Sequence, residues 1–239
     1  MNTALTKSKR AFLTARWQHL VLANYAVEPE LLAPHTPPGL KLDLLDGQPH
    51  VSLVAFDFMN TRVLGIPWPG YRHFPEINLR FYVRDGDRRG VAFIREYVPK
   101  RLIAFIARWL YNEPYVYAPM KSQVMEHQGT LEVTHRLTRH RRTSDLSVVA
   151  DASAHTPPED SEAHFFKEHS WGYGTNRRGH LVTYEVRHPV WETYPVRSFN
   201  FNWDWEGIYG PEWAHLADVE PRSVFLARGS EISVSPKLD

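Results

Sequence analysis

Cysteine is absent from the 239-residue chain, so disulfides, thiolate metal sites, iron-sulfur clusters and cysteine nucleophiles are excluded by chemistry alone. That absence fits a reducing compartment. Met1 to Arg16 has no apolar leader core, and no segment approaches the roughly 20 apolar residues that a membrane helix needs. A cytoplasmic protein without membrane association is expected. Charge of one sign is lacking too: 28 Lys plus Arg face 27 Asp plus Glu, a formal charge of +1, so no broad attraction to nucleic acid is expected. Glycine-rich phosphate loops, HExxH and GxSxG are all missing, and the 13 histidines never fall at metal-ligand spacing. Neither a metal nor another cofactor is expected.

What is present leans towards β structure. Eight Trp, 11 Tyr and 12 Phe suit half-buried pleated surfaces and pocket walls, while 18 Pro divide the chain into short elements. Arginine outnumbers lysine 21 to 7, and its planar fork suits fixed pairing with carboxylates, including those of a ligand. With 43% hydrophobic residues the chain can bury a core, and one β domain over residues 1–239 is the expectation.

Residues 1–14 read as a frayed leader or short helix, and Arg16 to Tyr25 as the first strand. Asp46-Gly47 predicts a hairpin joining Leu40 to Leu45 with His50 to Met59. Asn60 to Pro75 is a Pro- and Gly-rich loop, long enough to cover one end of a barrel. Pro75 to Arg84 and Val91 to Val98 read as paired strands, Arg101 to Tyr111 as a short buried helix, and Tyr115 to Met125, Thr130 to Thr138 and Leu146 to Ala152 as further strands. Ser161 opens a short helix, His180 to Arg187 and Tyr194 to Phe201 are strands, and Ser223 to Ala227 pairs with Glu231 to Val234 across Arg228-Gly229. Roughly ten short strands with few helices point to a barrel, since closure removes reactive sheet edges.

Three segments gather groups that could carry chemistry. In PEINLRFYVR the side chains of Glu76, Asn78, Arg80 and Tyr82 share one strand face, while Ile77, Leu79, Phe81 and Val83 share the other. On alternation alone the polar face meets water; alternatively it points into a polar lumen, with Arg80, Asn78 and Tyr82 binding a ligand and Glu76 acting as general acid or base. In ARWLYNEPYVYAPM, a helix would bring Arg108 to the start of a strand that carries Tyr115 and, further on, Met120. Tyr115 is then a proton donor and Arg108 a carboxylate anchor, unless Arg108 simply pairs with Glu96 or Glu113. In EHSWGYGTNR a tight turn would present Trp171 and Tyr173 as pocket walls.

The succession RWQHLVLANYAVEPELL, HTPPGLKLDLLDG, EINLRFYV, ARWLY with PY and A.M behind it, and EVRHPVW resembles the YqjF-like family of uncharacterised bacterial proteins over nearly the whole chain. That family is similar in fold to acetoacetate decarboxylase. The resemblance implies a closed antiparallel β-barrel, cone-like, with a few flanking helices and an internal cavity. It also implies a comparison of lysines, because the decarboxylase forms a Schiff base through a lysine that follows a proline. Here Pro114 is followed by Tyr115, Lys100 of REYVPK reads as a helix-start residue and Lys121 as solvent-facing. None of the seven lysines is placed inside.

The leading expectation is therefore a cavity protein that binds a small organic carboxylate or carbonyl compound. A lyase of decarboxylase, aldolase or dehydratase type acting on a keto acid is the alternative. A third is an interaction protein whose Trp203 to Trp213 segment contacts a partner or a second copy in a homo-oligomer.

Overall fold

The computed structural model describes residues 11–238 apart from 111 and 113, with backbone alone at 107–110. Alternating sequence sets the strands. β1 (Leu13–Ala26) leads through the helical turn α1 (Pro29–Leu32), opened by Pro29, to the two-residue β2 (Lys41–Leu42). β3 (His50–Val63), β4 (Phe74–Asp85) and β5 (Arg88–Val98) then form an antiparallel meander. Helix α2 (Arg101–Leu110) connects to β6 (Tyr115–Tyr117), and β7 (Met120–His127), β8 (Thr130–Arg139) and β9 (Arg142–Asp151) make a second meander. Helix α3 (Glu162–Lys167) starts where the Ser161 hydroxyl accepts the His164 N–H, satisfying a backbone donor that the first turn leaves open. It leads to β10 (Trp171–Thr175), β11 (Leu181–Arg187), β12 (Thr193–Tyr194) and β13 (Val196–Asn202). Helix α4 (Trp205–Tyr209), capped by Asp204, precedes β14 (Ser223–Ala227) and β15 (Glu231–Val234).

Seven strands close on themselves in the order β1, β15, β11, β10, β5, β4, β3 and back to β1. The barrel is mixed rather than wholly antiparallel, because β5 and β10 run parallel where Gly90 and Val91 meet Trp171 and Gly172. Some seventy residues separate those strands, so no tight turn forces them to reverse. A separate four-stranded sheet, in the order β13, β9, β8, β7, lies against the barrel.

This layering buries both faces of β4. Ile77, Leu79, Phe81 and Val83 point out of the barrel into one cluster with Val133, Leu146 and Val148 of the four-stranded sheet and with Trp205 and Trp213. The other parity, with Phe74 and Tyr82 among its apolar members, points into the barrel beside Leu22, Phe56, Phe58 and Trp191. The alternation of β4 thus separates two buried environments.

Several local expectations change. Asp46 and Gly47 make the turn, with φ of 53° and 79°, but the hairpin ladder is limited to the bridge Leu45 to Gln48, and β2 pairs instead with β4 at Arg84 and Val83. β14 and β15 do not pair with each other; each lies antiparallel to a different half of β1. A single 14-residue strand offers enough ladder for both. The stretch Tyr115 to Met125 is two strands, broken at Ala118 and Pro119. Of the frayed leader, Met1 to Arg10 lie outside the described residues, whereas Leu13 and Thr14 are ladder members of β1. Among the described residues no helix is long and apolar enough to cross a membrane.

Candidate functional site

The barrel holds a cavity of about 390 Å³ whose wall is mostly apolar and whose exposed lining residues, Trp68, Leu102 and Ile106, come from the 60–75 loop and α2. Strand parity places Glu76, Asn78 and Arg80 on it, all buried, at 3%, 3% and 9% exposure. Glu96 of β5 stands opposite Asn78 in the ladder and lines it as well. β6 docks beside β5, which brings Tyr115 level with Glu96.

The polar groups are tightly linked. Tyr115 donates its hydroxyl to Glu76 Oε2 at 3.0 Å, and Asn78 Nδ2 donates to Glu76 Oε1 at 3.1 Å. Burial pushes the Glu76 carboxyl up to about 7, against hydrogen bonds from Asn78, Tyr115 and Glu96 that favour its charged form. Two carboxyls in such contact hold a proton between them near neutrality. Arg80 donates from Nη2 to the Phe166 carbonyl at 2.8 Å, at the end of α3. Arg80 Nε and Asn78 Oδ1 are buried with no hydrogen-bond partner among the described residues. Such atoms are costly unless something supplies a partner.

α3 also delivers Lys167, whose side chain is 1% exposed, lines the cavity and pairs with the Glu168 carboxylate. One lysine is therefore inside, contrary to the expectation for all seven, because the short helix ends with its last residue turned towards the barrel. Residue identity alone gave no sign of this: FFKEH carries no periodicity long enough to assign a face. Beyond it His169 lines the same wall, its pKa pushed down to about 4 by burial, with Asp43 opposing the shift. Lys100 precedes α2 and Lys121 is exposed, as expected.

The remaining expectations divide. Trp171 lines the cavity, but on a strand rather than a tight turn. Tyr173 has the same parity as Trp171, yet it is fully buried in the outer core, where its ring abuts Gly90, and does not line the cavity. Tyr82 lies behind the wall, its hydroxyl bonded to Ser52 and to the Phe166 carbonyl, so its role is to hold strands and α3 together. Met120 packs against the core beneath the second sheet, because Pro119 ends β6 and turns the chain away from the barrel. The Arg108 side chain lies outside the described residues. An aromatic wall was expected but not from these residues: Trp17, Phe56, Phe58, Phe74 and Trp191 form a chain of ring contacts, with Trp17 to Phe56 at 5.0 Å and Phe58 stacked on Phe74 at 4.7 Å. His188 stacks on Trp191 at 4.1 Å, and both line the cavity. Among the described residues no cluster of three or more potential metal ligands occurs.

The closed barrel with its flanking sheet is an acetoacetate decarboxylase-like fold. The chain is similar in fold to the enduracididine biosynthesis enzyme MppR complexed with pyruvate, with TM-score 0.67 at 14% identity over 99% of this chain and 92% of that one. An acetoacetate decarboxylase-like enzyme from Sphingomonas wittichii RW1 matches with TM-score 0.65 at 16% identity over 100% and 98% of the two chains. Acetoacetate decarboxylase from Legionella pneumophila matches at 0.63, with 13% identity over 97% and 88%. The chain belongs to the DUF2071 family of uncharacterized conserved proteins, whose pattern covers residues 14–231. A curated relative, the uncharacterized protein YqjF of Bacillus subtilis, is 27% identical over 200 residues, 82% of each chain.

Proposed function

We propose that the barrel cavity binds a small organic molecule bearing a carboxylate or carbonyl, held through Arg80, Asn78 and the Glu76–Tyr115 pair. The observation that carries this is the pair of buried, unpartnered atoms, Arg80 Nε and Asn78 Oδ1, on the polar side of an otherwise apolar cavity. A guest oxygen would satisfy the guanidinium donor, and a protonated or hydroxylated guest the amide oxygen. A protonated Glu76 carboxyl is a donor for a carbonyl, whereas an ionised one would repel an acid. MppR, of the same fold, is known as a pyruvate complex, which supports a carbonyl acid as the class of guest. Titration with pyruvate and acetoacetate, followed by calorimetry or ligand-observed magnetic resonance, tests the site. Arg80→Ala should weaken binding of a bound acid by roughly tenfold or more, the scale of a lost charge-assisted hydrogen bond. Unchanged affinity in both Arg80→Ala and Glu76→Gln would remove the site.

Lys167 favours a second reading, a lyase acting on a keto acid. Its amine lines the cavity, and Glu168 can take the proton that the amine must shed before attacking a carbonyl. Attack forms a carbinolamine, loss of water gives an iminium, and that cation takes up the electron pair of the bond between the α-carbon and the carboxylate, so that carbon dioxide leaves and an enamine remains. Borohydride treatment with acetoacetate should leave a reduced adduct on Lys167 by peptide mass mapping. No adduct, or one that persists in Lys167→Met, removes this reading and leaves binding alone.

The Trp203 to Trp213 segment offers none of its tryptophans to a partner. Trp203, Trp205 and Trp213 are 7%, 3% and 0% exposed within the chain itself. They are held there by Tyr97 and Arg95, which both donate to the Ile208 carbonyl.

A further inference from the structure

The polar and apolar parts of the cavity are segregated by depth. The groups able to recognise a head group, Arg80, Glu76, Asn78, Glu96 and Lys167, are all at 9% exposure or less. By contrast the wall residues Trp68, Leu102 and Ile106, from the 60–75 loop and α2, are 53%, 45% and 38% exposed, although each is strongly apolar. Between them runs the aromatic chain from Trp17 through Phe58 to Phe74. An apolar rim left in water costs free energy and commonly marks where an apolar partner sits. A volume of about 390 Å³ falls in the range of pockets that enclose drug-sized ligands, well beyond what a three- or four-carbon acid fills.

We propose, resting on the reading of the cavity as a carboxylate or carbonyl site, that its guest is an amphipathic monoacid: a carboxylic or oxo acid with a medium-length alkyl or aryl tail. The head group binds at depth by Arg80 and the tail lies along the aromatic wall to the rim at Trp68, Leu102 and Ile106. Among the described residues that line this rim none is charged, so a second carboxylate at the tail end would meet apolar side chains.

A chain-length series tests this with the intact protein. Acetate, butyrate, octanoate, the diacid suberate and the alcohol octanol are titrated by calorimetry. Each buried methylene should tighten binding about three- to fourfold, so octanoate should bind on the order of a hundredfold tighter than butyrate. Suberate should lose most of that gain. In Leu102→Ser and Ile106→Ser, both at exposed positions where folding tolerates the change, the octanoate-to-butyrate affinity ratio should fall several-fold. Equal affinities from acetate to octanoate, or suberate binding as well as octanoate, would overturn the tail assignment while leaving an acid site in place. Octanol binding as tightly as octanoate would instead overturn the head-group reading and leave an apolar pocket. Absence of binding by every probe would remove both.

Discussion

Glu76 shows how much a single position depends on its surroundings. In an unfolded chain its carboxyl would titrate near 4.5, and burial raises it to about 7 in the fold. The folded state therefore holds more protons than the unfolded state between those values, so the stabilising contribution is complete at low pH and is lost as pH rises through 7. Glu76→Gln removes that dependence. The difference in thermal midpoint, wild type minus variant, should shrink or turn negative between pH 4.5 and 8. A constant difference across that range would mean that Glu76 is charged throughout. His135 has the opposite sign: it is fully buried, its ring nitrogens have no partner among the described residues, and burial pushes it down to about 3. Stability tied to its neutral form is present above its usual 6.5 and is lost as pH falls towards 3. His135→Leu should make the protein more resistant to acid unfolding, read as a lower midpoint pH. The residue types at the site were visible in the sequence for Glu76, Arg80 and Tyr115. The orientation of Lys167 was not, because six helical residues supply too little periodicity to fix a face.

At the scale of elements, the barrel closes where glycine lets two backbones approach. A Cβ placed on Gly90 would lie 2.5 Å from the Trp171 carbonyl oxygen, and one on Gly172 would lie 2.2 Å from the Tyr184 ring. The parallel seam between β5 and β10 needs Gly90 bare, while Gly172 leaves room for the Tyr184 ring of the neighbouring β11. Gly90→Ala should lower stability by about 1–3 kcal/mol in denaturant unfolding, the usual cost of overpacking; a neutral result would show that the seam relaxes. Gly229 is a second such point, with φ of 74° and a built Cβ 2.2 Å from the Trp17 carbonyl oxygen. It lets the chain pass from β14 to β15 without leaving β1. Sequence chemistry located this turn, yet it suggested a hairpin across it, since local signals cannot report that a third strand competes for both partners. The Asp46-Gly47 turn gave the same lesson: its backbone is as expected, while the ladder it should have nucleated went to β4.

On the scale of the whole molecule, two adjacent residues of β4 serve different halves of the structure. Leu79 is fully buried against the second sheet and Arg80 faces the cavity. Leu79→Ala should cost about 2–5 kcal/mol of stability, the range for buried leucines, with ligand affinity retained while the protein stays folded. Arg80→Ala should show the converse, loss of affinity at small cost in stability. If both variants lost stability and affinity together, barrel and cavity would not be energetically separable. By itself the sequence determined the β class, the strand positions, the parity of β4 and, by resemblance, the barrel type, because each depends on alternation and turn chemistry within a few residues or on motif order along the chain. Only the tertiary structure decided that both faces of β4 are buried, that one seam is parallel and that Lys167 and the aromatic wall meet Glu76 and Arg80. Those outcomes depend on which distant strands pair and what covers them, and pairing across large separations is settled by the burial gained over the whole chain.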